Sequence, residues 1–233
     1  MAVRQLYEAV LAERGYASDA AQLAAVAALE RCENEWIAYK ARRGNAVTKL
    51  LVRPPIPRGV YMWGGVGRGK SFLMDCFFQS VPLARKTRLH FHEFMREVHR
   101  QLQELKGTVN PLDELGRRIA RRFRLVCFDE FHVADVTDAM ILHRLLESLF
   151  ANRVSIVTTS NFAPDGLYPN GLHRDRILPA IELLKANLEV VNVDAGVDYR
   201  QRTLGQVRMY HCPLGPAADA AMAHAFEHLA EAR

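Results

Sequence analysis

Apolar residues recur at three- and four-residue intervals through the first forty positions, then give way near residue 55 to short apolar runs alternating with helical stretches. Residues 3–14 and 18–43 therefore predict two helices. In the second, Leu29, Cys32, Trp36 and Tyr39 share one face and Ser18 is the candidate cap. Gly44-Asn45 closes it. Arg53-Pro54-Pro55-Ile56-Pro57 predicts a stiff extended connector, because proline lacks a donor and disfavours helix before it. Beyond the connector, strands are predicted at 58–63, 87–91, 125–128, 154–158 and 188–193, with helices at 70–79, 92–105, 112–122, 136–150 and 175–186. Leu125-Val126-Cys127-Phe128 is wholly apolar, as expected of a parallel strand covered on both faces. Leu142, Leu145, Leu146 and Leu149 form one stripe, with Asp135 placed to cap that helix. Such alternation implies a three-layer α/β fold on a parallel sheet. Farther on, Gln206 to His211 predicts an edge strand before an Ala-rich helix with Met222, Phe226 and Leu229 on one face. The expected organisation is a helical lead-in over 1–54, an α/β core over 55–196 and a C-terminal extension over 197–233.

Composition narrows the class. With 233 residues, 49% hydrophobic and 24% charged, the chain has ample material for a buried core. No apolar stretch nears the roughly 18 residues of a membrane span. The first fifteen residues mix Glu8 and Glu13 with Arg4 and Arg14, unlike a signal or transit peptide. Cys32, Cys76, Cys127 and Cys212 are far apart and form no C-x-x-C, which reads as reduced thiols in a cytosolic protein rather than a zinc site. The net charge of +5 favours an anionic partner only slightly.

The chemistry concentrates in Gly64-Gly65-Val66-Gly67-Arg68-Gly69-Lys70-Ser71, which follows a predicted strand and opens a predicted helix. It fits the G-x-x-x-x-G-K-[ST] phosphate loop. Glycines admit positive φ and close approach, and successive N–H groups at a helix N-terminus face an anion. Lys70 reaches the β- and γ-phosphates, and the Ser71 hydroxyl can complete a Mg²⁺ shell. The pattern implies binding of a nucleoside triphosphate. Downstream, Asp129-Glu130 ends an apolar strand. In a Walker B arrangement Asp129 holds Mg²⁺ through water and Glu130 polarises the water that attacks the γ-phosphate.

Thr158-Thr159-Ser160-Asn161 places small polar residues at a strand's carboxyl end, where ligands sit on such sheets. Asn161 is a candidate for the γ-phosphate or the water, against the alternative of a loop cap. Arg174, with Arg176 as its competitor, is a candidate to enter a neighbouring subunit's site in a homo-oligomer; a surface arginine paired with Asp175 is the alternative. His90 and His92 share a strand face, yet no further ligands fall at a recognisable metal spacing. The basic run Arg117-Arg118, Arg121-Arg122 and Arg124 reads first as a solvated helix face and second as a nucleic-acid contact.

With these motifs in place the chain resembles the AAA+ ATPases, and more narrowly the ZapE-type cell division ATPases. The finer resemblance is carried by 58–75, His90-Phe91-His92-Glu93-Phe94-Met95, 128–135, 138–142, Thr159-Ser160-Asn161, 167–172, Leu178-Pro179-Ala180-Ile181 and Asp198-Tyr199-Arg200. It runs from about residue 3 to at least residue 210. It implies ATP in Gly64–Ser71, Asp129 and Glu130 on magnesium and water, and Asn161 as sensor of the γ-phosphate. Arg174 stands where family members carry an arginine after Gly-Leu-Gln, with His173 replacing the glutamine here. Family members remodel the tubulin-like FtsZ polymer at the bacterial division ring, and mitochondrial relatives are linked to respiratory-complex quality control. The bacterial, cytoplasmic role is the expectation. Related chains continue past residue 233 through a helical lid, so the resemblance implies a truncated C-terminal region. The rival reading is a nucleotide-gated DNA-binding module like the helicase loaders, with a small-molecule kinase third.

Overall fold

Strand pairing decides how the sequence segments stack. In the computed structural model, which describes residues 1–15, 18–169 and 171–194, five strands form one parallel sheet. They are β1 (Gly59–Trp63), β2 (Lys86–His90), β3 (Leu125–Asp129), β4 (Ser155–Ser160) and β5 (Leu188–Asn192), in the spatial order β2-β3-β4-β1-β5. Pairings such as Tyr61↔Thr158, Cys127↔Val157 and Met62↔Val191 fix the register. The helices are α1 (Val3–Arg14), α2 (Ala20–Ala41), α3 (Ala46–Leu51), α4 (Lys70–Ser80), α5 (Phe91–Glu104), α6 (Pro111–Arg122), α7 (Val136–Ala151) and α8 (Leu178–Asn187). The α/β class with a parallel sheet matches the sequence expectation. The edge strand at 206–211 and the Ala-rich helix after it lie outside the described residues, as does the whole of 197–233.

Alternation along each strand sends side chains to opposite faces. Val60, Met62, Leu125, Cys127 and Val157 face α1, α2 and α4, packing with Tyr7, Leu29, Trp36, Met74 and Phe77. Tyr61, Val126, Phe128, Ile156 and Leu188 face the other way, against Phe94, Leu115, Leu145 and Ile181 of α5 to α8. The α2 stripe Leu29, Cys32 and Trp36 is fully buried. Each such large apolar side chain contributes about 1.5–3 kcal/mol by leaving water. Arg31 of α2 adds a polar tie to β5, its Nε donating to Glu189 at 2.8 Å.

Several local expectations shift. Asp19, not Ser18, caps α2: its Oδ1 accepts the Ala21 N–H at 2.8 Å. Asp135 caps α7 as read, accepting the Asp138 N–H at 2.8 Å. Helix α3 lies where the sequence pattern predicts no element, and Asn45 caps it by accepting the Thr48 N–H at 2.8 Å. The helix expected from residue 175 starts instead at Leu178 after a 3₁₀ turn at Arg174–Arg176, with Pro179 in its first turn, where no N–H is required. Among the described residues, no helix is long and apolar enough to cross a membrane.

Candidate functional site

The carboxyl ends of β1, β3 and β4 and the start of α4 converge on the phosphate loop. Gly64, Gly67 and Gly69 take φ of +155°, +85° and +78°, and Lys70 opens α4 directly after Gly69. A Cβ on Gly69 would be strained by that φ and would also lie 2.7 Å from the Gln22 side-chain nitrogen. The loop thus presents a helix N-terminus, with Gly65, Val66 and Arg68 supplying its remaining backbone. Lys70 is buried, and its Nζ donates to the carbonyls of Gly64 at 2.6 Å and Gly65 at 2.7 Å. It also donates to Oδ1 of Asn161 at 3.1 Å. An ammonium held this way is an anion partner already desolvated and aimed.

Asp194, just beyond β5, braces the front of the loop. Its Oδ1 accepts the Gly65 N–H at 3.0 Å and the Arg68 Nε–H at 3.2 Å. The Gly65 amide and the Arg68 guanidinium hold its carboxyl below the usual aspartate range. From the other side Gln22 donates to the Arg68 carbonyl at 3.0 Å.

Asp129 is buried at the end of β3, one strand farther from β1 than Asn161, because β4 lies between them. Alternation puts it on the α4 face together with Cys127. Arg88 of β2 spans the gap: its Nε donates to Asp129 Oδ2 at 2.6 Å, and its other nitrogens reach Asp75 and, at 3.5 Å, the Ser71 carbonyl. Burial opposes the Arg88 charge, but the hydrogen bonds to Asp129 and Asp75 outweigh it and raise the pKa. Among the described residues, no group hydrogen-bonds the buried Oδ1 of Asp129. An orphaned carboxylate oxygen is unfavourable in such a place unless a cation completes it. Arg88 thereby ties Asp129 to the first turn of α4, where Ser71 stands, and this donor set fits the divalent ion expected here.

Glu130 follows at φ +54°, an uncommon conformation for a side chain of this kind. Its N–H is held by Thr159 Oγ1 at 3.1 Å, while its side chain is 72% exposed beside His90, 3.8 Å away. Backbone strain fixed by neighbours and an exposed carboxylate at a strand end is an arrangement found at working sites.

The expected polar run divides. Thr158, Thr159 and Ser160 belong to β4 and are buried. Thr158 and Ser160 donate to the carbonyls of Phe128 and Phe131, at 3.1 and 2.8 Å, so they lace β4 to the end of β3 rather than face a ligand. Asn161 alone reaches Lys70. Arg174 is half-buried, with Nη2 donating to the Asp165 carbonyl at 2.7 Å and Nε without a partner among the described residues. Arg176 is 65% exposed beside Asp175. Neither arginine makes a described contact with the loop. Gln22, Arg88 and Asp194 carried no signal in the sequence; only the packing of α2, β2 and β5 brings them to the site.

Comparison with known proteins gives the family. The family model described as AFG1-like ATPase matches residues 1–233. The cell division protein ZapE of Escherichia coli K12 is 53% identical over 165 residues, covering 71% of this chain and 44% of that protein. Lactation elevated protein 1 homolog B of Danio rerio is 40% identical over 190 residues, covering 76% and 38%. The chain thus spans less than half the length of these relatives. Among solved structures, the DnaC helicase loader aligns with a TM-score of 0.48 and 12% identity over 76% of this chain and 92% of that one. DnaI gives a TM-score of 0.46 and 14% identity over 70% and 82%. Neither likeness carries an argument about function. The phosphate loop, the parallel sheet around it and the family match along the whole chain together place this protein in the AFG1-like ATPase family.

Proposed function

We propose that this chain binds ATP at Gly64–Ser71 and hydrolyses it with the help of Mg²⁺. The observation that carries the reading is the Lys70 ammonium, buried at the head of α4 and shared between two loop carbonyls and Asn161. Incoming phosphate oxygens take over donors that the loop carbonyls hold, and the amide groups at the α4 start add their partial charge. Ser71 and Asp129 hold the ion, which when bound neutralises phosphate charge. Glu130, exposed at the strand end, accepts a proton from the attacking water. Asn161 directly follows β4, the strand next to β1; its Oδ1 accepts from Lys70, which leaves its amide N–H donors to sense the γ-phosphate.

The partner reading follows from the relative named a cell division protein. Turnover here remodels a protein partner, the FtsZ polymer of the division ring, in the bacterial cytoplasm. Arg174 contributes in trans within a homo-oligomer. The DNA-binding alternative gains nothing from the basic run: Arg117 and Arg118 pair with Glu114, and Arg124 donates to the carbonyls of Asn152 and Arg153. Steady-state ATP hydrolysis with and without purified FtsZ polymer tests both parts. Turnover stimulated by the polymer is expected. Turnover indifferent to the polymer would remove the partner, and absence of ATP binding would remove the whole reading.

A further inference from the structure

The phosphate loop is gripped from behind by the N-terminal helices. Tyr7 of α1 and Gln22 of α2 are both buried, and the Tyr7 hydroxyl donates to Gln22 Oε1 at 3.0 Å. The Gln22 amide nitrogen then donates to the Arg68 carbonyl at 3.0 Å. The tyrosine orients the amide, because a hydroxyl bound to Oε1 leaves Nε2 for the loop. Gly69 gives the amide room, since a Cβ there would sit 2.7 Å from Nε2. Tyr7 also stacks on Phe72 in the first turn of α4, with ring centroids 5.9 Å apart. Two contacts, joined through Tyr7, thus run from α1 and α2 to the two sides of Lys70: one to the residue before Gly69, the other to the turn that Lys70 begins.

We infer that Gln22 is a positioning residue for the phosphate loop, oriented by Tyr7, and that it couples the seating of α1 and α2 to phosphate binding. The inference rests on the ATP-binding reading above. Physically, the loop's peptide at Arg68–Gly69 must hold one orientation for its N–H to face a phosphate. A carbonyl anchored on the opposite side of that peptide fixes the orientation before ligand arrives, lowering the ordering cost of binding. Coupling is reciprocal: a ligand that favours the anchored loop must also favour the seated helices. Anything that lifts α1 or α2 from the sheet would then weaken the grip on the nucleotide.

The test uses the 233-residue chain and three probes: ATP, ADP and adenosine, each measured by competition with a fluorescent ATP analogue. Gln22→Ala is expected to weaken ATP and ADP about tenfold while adenosine stays within twofold, since only the phosphates meet the loop. Tyr7→Phe, which keeps the amide but removes its orienting hydroxyl, is expected to give a smaller loss in the same direction. Hydrogen exchange supplies the reciprocal reading: ATP should slow exchange in α1 and α2 of the unmodified chain and lose that effect in Gln22→Ala. Unchanged ATP affinity in a folded Gln22→Ala protein overturns the inference. So does a parallel loss for ATP and adenosine, which would mark a merely structural glutamine. Should Gln22→Ala fail to fold, Tyr7→Phe and the exchange pattern of the unmodified chain decide. An unmodified chain that binds no ATP overturns the phosphate-loop reading itself, a result distinct from a chain that binds ATP but ignores Gln22.

Discussion

The Lys70 ammonium lies 3.1 Å from the Asn161 amide oxygen, joining the first residue of α4 to the residue that follows β4. Two segments ninety-one positions apart in sequence therefore share one anion-binding group. Lys70→Ala removes the cation and should weaken ATP binding by about ten- to a hundredfold, the scale of a charge-assisted hydrogen bond. Asn161→Ala keeps the cation, so its effect should fall on kcat with little change in binding. Calorimetric titration with ATP separates the two. Equal losses of affinity would show that Asn161 holds the ground state.

Glu130→Gln should bind ATP normally and lower kcat by about a hundredfold or more, because the amide cannot take a proton from water. Glu130→Gly offers a second test through the backbone. At φ +54° glycine is relieved of strain, so stability should stay level or rise by up to about 1 kcal/mol while turnover disappears. Urea denaturation alongside an ATPase assay reads both. Normal turnover in either variant would assign the base to another residue.

Arg174 is anchored to the Asp165 carbonyl within its own chain, yet its Nε has no partner among the described residues. If it serves a neighbour's nucleotide, Arg174→Ala and Lys70→Ala chains, each inactive alone, should regain part of the activity when mixed. Activity that never rises at any mixing ratio would leave Arg174 a structural clamp on the turn at Asp165.

Arg88→Ala strips Asp129 of the guanidinium on its Oδ2 and cuts the link to α4. Loss of one partner from a largely buried ion pair should cost about 1–3 kcal/mol, less than the full buried value because Arg88 keeps some access to solvent. The midpoint of chemical unfolding measures it. A midpoint identical to the unmodified chain would mean that Asp129 finds another cation.

Gly116, where α6 crosses α7, has no room for a side chain: a Cβ would fall 2.0 Å from the Ser148 hydroxyl. Gly116→Ala should therefore destabilise the α6–α7 contact by about 1–3 kcal/mol through overpacking. Thermal unfolding checks this without touching the nucleotide site. An unshifted midpoint would show that α6 and α7 move apart without cost, since the Ser148 Cβ, 2.7 Å from the added carbon, stays in place when the hydroxyl turns.

Local patterns alone were enough for the elements that depend on local patterns. The Gly64–Ser71 spacing, the apolar Leu125–Phe128 run ending in Asp129 and Glu130, and the α2 and α7 stripes were legible because strand alternation, helical periodicity and loop glycines are written within a few residues. The same sequence yielded Lys70 and Asn161 as separate candidates, but not their hydrogen bond. What the tertiary structure decided was pairing across distance. The insertion of β4 between β1 and β3 set Asn161 beside Lys70 and left Asp129 to be reached through Arg88. It also turned Thr158 and Ser160 from site candidates into strand lacing. Gln22 and Asp194 stayed invisible for the same reason: a glutamine in a helix and an aspartate after a strand look ordinary until the packing of α2 and β5 places their polar atoms against the backbone of the loop.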